Sequence, residues 1–134
     1  MILVDTSVWI DFFSASPGRA GRELRRMIEQ AEPFALAGVI VTEILQGLTR
    51  DVKRIEHLLM GWDLLEPRDF STYSEASTIF RLARSKGVSL TTINTLIAAI
   101  ALEHSAVLFS LDKDFSRMAR YSALRLYSLP ETAS

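Results

Sequence analysis

Four short stretches of the 134-residue sequence carry the side chains best suited to chemistry: Val4-Asp5-Thr6-Ser7, Thr42-Glu43-Ile44, Thr91-Thr92-Ile93-Asn94 and Ser110-Leu111-Asp112-Lys113-Asp114. Three hold carboxylates and the fourth holds an amide. Glu43 is the most demanding of them, because Val39, Ile40, Ile44 and Leu45 surround it in sequence. A carboxylate in such company is costly to bury unless it is paired, protonated or bound to a cation. Each residue also has a plain structural reading. Asp5 before Thr-Ser suits a turn or helix cap, Asp112-Lys113-Asp114 a solvated turn, Glu43 a wet helix face, and Asn94 a cap.

The elements around these residues decide between the readings. Ile2-Leu3-Val4 reads as a short buried strand that ends at Asp5. The run from Ser7 to Phe13 suits a short helix, and Pro17 to Gln30 a second, with Pro17 near its start. Pro33 to Gly38 suits a brief strand. Val39 to Leu48 has helical spacing, although its apolar density also fits a strand. Val52, Ile55, Leu58 and Leu59 mark one helix face, and Asp63 to Glu66 a strand closed by Pro67. A long helix from Phe70 is expected to end at Gly87 as its C′ glycine. A further helix begins near Thr91, with Ile93, Leu96, Ile97 and Ile100 as its core side. Ala98, Ala101 and Ser105 share the Asn94 face and permit close approach to a sheet. Ala106 to Phe109 is a strand, a short helix follows the acidic turn, and Leu124 to Leu129 is the last strand. Strands alternating with helices imply one α/β domain over residues 1–134, a three-layer α/β/α sandwich with a short, mostly parallel sheet. Ligands of such sheets bind beyond the carboxyl ends of the strands, so Asp5, Asp112 and Asp114 are expected on one rim.

Composition narrows the function classes. Fifteen basic and sixteen acidic residues give a net charge of −1, so a nucleic-acid site must be a local patch. Arg19, Arg22, Arg25 and Arg26 form one candidate, with a solvated helix face as the alternative. The absence of cysteine excludes disulfides and thiolate metal sites. His57 and His104 lie outside the acidic stretches and read as ordinary helix residues. Asp5 and Asp11 interrupt the apolar opening, which has no basic segment before it. It is therefore read as neither signal peptide nor membrane span, and a cytoplasmic location is expected.

Met1 to Phe13 resembles the opening strand and turn of PIN-domain ribonucleases, particularly VapC-type toxins of bacterial type II toxin–antitoxin pairs. Thr42 to Leu48 is similar to the second acidic segment of that family, and Leu96 to Phe115 to its closing helix, strand and acidic loop. The similarity runs over essentially the whole chain; Val-Asp-Thr-Ser alone is weak, but three segments in order are specific. The resemblance implies a rim of acids binding Mg²⁺ or Mn²⁺ and endonucleolytic cleavage of structured RNA, such as tRNA or rRNA loops, to stop translation. It carries Asp5 and Glu43 over as the first two acids and Asp112 as the last. Asp5, Glu43 and Asp112 become metal ligands, and Asp114 an auxiliary one. Thr6, Ser7 and Ser110 are candidates to hold waters or ligands by their hydroxyls. The remaining acid of the pattern falls on Asn94, where this sequence departs from it.

An amide keeps the shape of the carboxylate but removes one charge and cannot take a proton from a nucleophilic water. Weaker metal binding and a rate loss of roughly 10²-fold or more are expected by analogy with losing one electrostatic partner. A natural variant and a replacement introduced to disarm a toxic nuclease both suit this position. The resemblance further implies a cognate VapB-type antitoxin seated in a hydrophobic groove, and a homodimer. Trp9, Phe12 and Phe13 are candidates for the groove, with the core as alternative. A competing class is a PIN-like domain that binds antitoxin or RNA without cutting. A phosphoacceptor domain fits poorly, because Ser7 stands where a second acid belongs, and no glycine-rich phosphate loop is present.

Overall fold

The apolar runs are short, and so are the strands they form. In the computed structural model, which describes residues 1–130, they are β1 (Ile2–Val4), β2 (Phe34–Ala37), β3 (Asp63–Leu65), β4 (Val107–Phe109) and β5 (Arg125–Leu126). All pair in parallel, in the order β3-β2-β1-β4-β5. The last strand keeps only Arg125 and Leu126 of the expected Leu124–Leu129 run. Leu3, Val4, Ala35, Leu36 and Leu108 are fully buried, as expected of central strands covered on both faces.

The helices are α1 (Thr6–Phe13), α2 (Arg19–Glu29), α3 (Gly38–Gln46), α4 (Val52–Leu59), α5 (Phe70–Ser85), α6 (Thr92–Glu103) and α7 (Lys113–Met118). The ambiguous run after Val39 is thus helical. Right-handed crossovers send α1 to α4 to one face of the sheet and α5 to α7 to the other, because the chain reverses its direction across the sheet after β3. Most helix contacts follow that division: α1 meets α2 and α3, and α6 meets α5 and α7, while α3 also touches α6 across it. The result is the three-layer α/β/α sandwich.

Gly87 has φ +78°, the left-handed conformation expected of a C′ residue, and the Val88 N–H reaches back to the Ala83 carbonyl at 2.9 Å. Ala98 and Ala101 are fully buried, so α6 lies close on the sheet as its small-residue face predicts. Three stripe residues depart from expectation. Ile93 is exposed in the first turn of α6, and α4 buries Ile55 and Leu59 but leaves Val52 and Leu58 exposed. None of the described helices is long and apolar enough to cross a membrane.

Candidate functional site: an acidic rim at the switch point

The sheet order places β1 between β2 and β4, so the crevice between β1 and β4 is the point where the chain reverses its path. Ligands of parallel sheets gather at such a crevice. Val4 pairs with Phe109, and the Asp5 N–H extends the ladder by donating to the Phe109 carbonyl at 2.9 Å. Asp5 therefore leaves β1 directly beside Ser110.

Asp5 also caps α1, but its bond from the Ser7 N–H is long, at 3.4 Å. Two hydroxyls hold the carboxylate more firmly: Ser7 Oγ and Ser110 Oγ each stand 2.8 Å from Oδ2. Each hydroxyl in turn accepts a backbone N–H, Ser7 from Leu111 at 2.9 Å and Ser110 from Asp112 at 3.0 Å. A hydroxyl has one proton to give. Both protons go to Asp5, so the 3.2 Å between Ser7 Oγ and Ser110 Oγ is a contact without a hydrogen of its own. The two serines thus carry the position of the Leu111–Asp112 backbone onto Asp5. Oδ1 has no partner among the described residues. Trp9 Nε1 is the unpartnered polar side-chain atom that is wholly buried there, so Asp5 Oδ1 opens to solvent although the residue is only 4% exposed.

Glu43 lies on α3, half-buried. Its Oε1 accepts from Thr6 Oγ1 at 2.7 Å, while its other oxygen has no hydrogen-bond partner among the described residues. The carboxylate therefore turns from its apolar neighbours toward the start of α1, away from the wet face considered from sequence.

Asn94 is not a cap. Thr91 caps α6, accepting from the Asn94 N–H at 3.1 Å. This frees the Asn94 side chain, whose Nδ2 donates to Asp112 Oδ2 at 3.0 Å and to Asp114 Oδ2 at 3.2 Å. Asp112, not Asp114, caps α7, taking the Asp114 N–H on Oδ1 at 2.9 Å. Arg117 holds the remaining oxygen of Asp114 at 3.1 Å. Sequence reading passed over Arg117; its i,i+3 spacing from Asp114 was the available signal.

The structure therefore brings the candidates together as two groups, Asp5 beside the Thr6–Glu43 pair and Asp112 with Asp114 through Asn94, and Ser7 and Ser110 join the first to the second. Hard oxygen donors of this kind suit a small divalent cation that keeps much of its water. Among the described residues, no three carboxylate or imidazole groups stand close enough to enclose an ion. The rim is exposed to solvent at Leu111, Asp112 and Lys113, and a separate cleft of about 600 Å³ is lined by Thr72, Leu82, Leu102 and Tyr121.

Other expectations fall into place around the rim. Each arginine of the candidate patch has an internal partner: Arg19 the Pro130 carbonyl, Arg22 the Pro17 carbonyl, Arg25 the Phe12 ring, and Arg26 both Glu23 and Glu32. Most of that cluster is structural. His104 bonds the Glu66 carbonyl at 2.7 Å, the ordinary role foreseen for it. Trp9 is fully buried and belongs to the core; it packs with Phe12, Phe13, Phe34 and Trp62. The nearby apolar groove is instead lined by Val41, Leu45, Leu59, Met60, Trp62 and Leu64, and has a volume of about 270 Å³.

Comparison with known proteins places the chain as a whole. The family model described as PIN domain matches residues 2–121. Ribonuclease VapC11 of Mycobacterium tuberculosis is 37% identical over 132 residues, covering 96% of this chain and 98% of that one. Among solved structures, VapBC-1 from nontypeable Haemophilus influenzae superposes with a TM-score of 0.74 at 17% identity, covering 96% of this chain and 98% of that one. FitAcB from Neisseria gonorrhoeae gives 0.72 at 23%, covering 96% and 97%. With a PIN-domain match over residues 2–121 and 37% identity to a VapC ribonuclease along nearly its full length, the chain belongs to the PIN-domain family and, within it, to the VapC ribonucleases.

Proposed function

We propose that this chain is the toxin of a type II toxin–antitoxin pair, an endoribonuclease that cleaves structured RNA with Mg²⁺ or Mn²⁺. The observation that carries the reading is Asp5: a carboxylate buried at the switch point, fixed by two hydroxyls on one oxygen and open to solvent on the other. Asp5, Glu43 and Asp112 would hold the cation, with Asp114 beside them. Bound there, it supplies a water of lowered pKa and neutralises charge on the phosphate. The chain's own residues do the positioning. Ser7 and Ser110 aim Asp5 Oδ1 outward, and Thr6 holds Glu43 with one oxygen free for a water or a proton. An open rim rather than a closed pocket admits a folded polymer, and exposed RNA loops are the substrates such a surface can reach.

Asn94 lowers the negative charge of the rim by one and offers no acceptor for a proton, so the activity of this chain is impaired relative to an aspartate at that position. The same amide favours a second reading, a domain that binds RNA or antitoxin without cutting. The antitoxin is taken to cover the groove beside Trp62, and the active unit to be a homodimer of single-domain chains in the cytoplasm. The test is cleavage of a panel of tRNA and rRNA fragments with Mn²⁺ and with EDTA, using this chain, Asn94→Asp and Asp5→Ala, together with growth arrest on expression. Cleavage by Asn94→Asp that EDTA and Asp5→Ala abolish supports the nuclease. Equal activity with and without the substitution sinks the impairment, and no cleavage by either form leaves the binding domain.

A further inference from the structure

The two halves of the rim differ in a way that the separate residues do not reveal. Asp5 Oδ1 and the second oxygen of Glu43 have no partner among the described residues. Asp112 and Asp114, by contrast, have an internal donor on every carboxylate oxygen: Asp112 Oδ1 takes the Asp114 N–H, Asp114 Oδ1 takes Arg117, and both Oδ2 atoms take Asn94. Carboxylates only accept, so the Asn94 nitrogen must face them, and its two hydrogens serve the two acids one each. The amide joins the first turn of α6 to the first turn of α7 and relieves the repulsion between neighbouring charges.

We infer that Asn94 is a latch that closes the cation-free site, and that its amide hydrogens compete with a divalent cation for the same oxygens of Asp112 and Asp114. The inference rests on reading the rim as a cation site. An N–H cannot ligate a metal, so an ion that takes Asp112 Oδ2 must displace the amide. An aspartate at this position has no hydrogen to offer and adds a third charge, so it leaves both acids to the cation. Asn94 therefore makes the half-site of α6 and α7 self-sufficient. It weakens cation binding by occupying the ligands as well as by lacking a charge.

The two effects separate in Asn94→Ala, which removes the latch and adds no charge. Mn²⁺ binding to the full chain, followed by calorimetry or by the electron-spin signal of the free ion, is compared for the present sequence, Asn94→Ala and Asn94→Asp. Melting in EDTA provides a readout independent of cleavage. Asn94→Ala is expected to melt lower in EDTA and to bind Mn²⁺ roughly threefold to tenfold more tightly, the range set by losing charge-assisted hydrogen bonds at a partly exposed site. Asn94→Asp is expected to melt lowest and to bind tightest. Equal or weaker Mn²⁺ binding by Asn94→Ala overturns the latch, because an Asn94 acting as ligand or bystander gives that result. Absence of Mn²⁺ binding in every variant, Asn94→Asp included, overturns the cation reading itself and the latch with it.

Discussion

The hydroxyl of Thr6 stands 2.7 Å from Glu43 Oε1, joining the first residue of α1 to the interior of α3 across 37 positions of sequence. Thr6 is 8% exposed, so no bulk water can replace it freely. Thr6→Val keeps the branched shape and removes the donor. It is expected to lower stability by about 1–2 kcal/mol and RNA cleavage by about tenfold, as loss of an orienting partner does. Thr6→Ser, which retains the hydroxyl, is expected to restore most of both. Chemical denaturation and cleavage rates measured side by side check the pair.

Ser110 has a double duty, donating to Asp5 and accepting the Asp112 N–H. Ser110→Ala removes both bonds and loosens the acidic loop from β1. A loss of roughly tenfold or more in cleavage is expected, with stability falling by about 1–3 kcal/mol. The measurement that distinguishes position from fold is Mn²⁺ affinity, which falls although every proposed ligand is retained.

Away from the rim, Glu23 is a buried carboxylate that accepts from Arg26 and from the Tyr127 hydroxyl, the latter at 2.5 Å. The Arg26 hydrogen bond holds its pKa below the usual 4.5; burial pushes it up, and Tyr127 helps bring it down. Between the two values the unfolded chain binds more protons, so stability rises with pH there. The contribution is present above 4.5 and is lost as pH falls through the lower, folded value. Burial, reinforced by Glu23, raises the pKa of Tyr127 above 10.0, so its share persists to alkaline pH and fades only above that. Tyr127→Phe is expected to cost about 1–2 kcal/mol near neutrality. That difference shrinks on acidification below the Glu23 value, as denaturation curves across pH will show.

Gly21 lets α2 meet α1 backbone to backbone. A Cβ there would stand 2.8 Å from the Phe12 nitrogen and 2.9 Å from the Asp11 carbonyl carbon, with no flexible side chain to give way. The same approach brings the Gly21 N–H to Asp11 Oδ2 at 2.7 Å. Gly21→Ala is expected to destabilise by about 2 kcal/mol or more, because the helices must separate. Urea unfolding measures it.

Hydrophobic runs and turn residues made most of the architecture legible before any coordinates. β1, β2 and β3 fall where short apolar runs end at or near Asp5, Gly38 and Pro67, β4 where one ends at Ser110, and Gly87 follows α5 as its place in sequence foretells. The last strand is shorter than its apolar alternation to Leu129 suggests, because the ladder to β4 ends once the Tyr127 N–H has reached the Leu108 carbonyl at 2.8 Å. Ile93 has the core periodicity yet stands exposed, because periodicity alone cannot tell whether the first turn of α6 is covered. At the site, Asp5, Glu43, Asp112 and Asp114 were legible as acids at strand ends and in an apolar helix. Their division into an open and a latched half was not, since it depends on which oxygen faces which donor. Residue spacing suggested a cap for Asn94; the Thr91 hydroxyl, three residues earlier, takes that role and leaves the amide for the acids.

The aromatic cluster under α1 has an optical consequence. The chain's two tryptophans, Trp9 and Trp62, lie 5.3 Å apart in that single cluster. Trp9 is sealed in the core, whereas Trp62 also lines the apolar groove with Val41, Leu45 and Met60. Tryptophan fluorescence of this protein, excited selectively, is therefore a local signal. It reports whatever settles in that groove and the melting of the α1 side of the sheet. The α5–α6 side of the molecule stays dark to it.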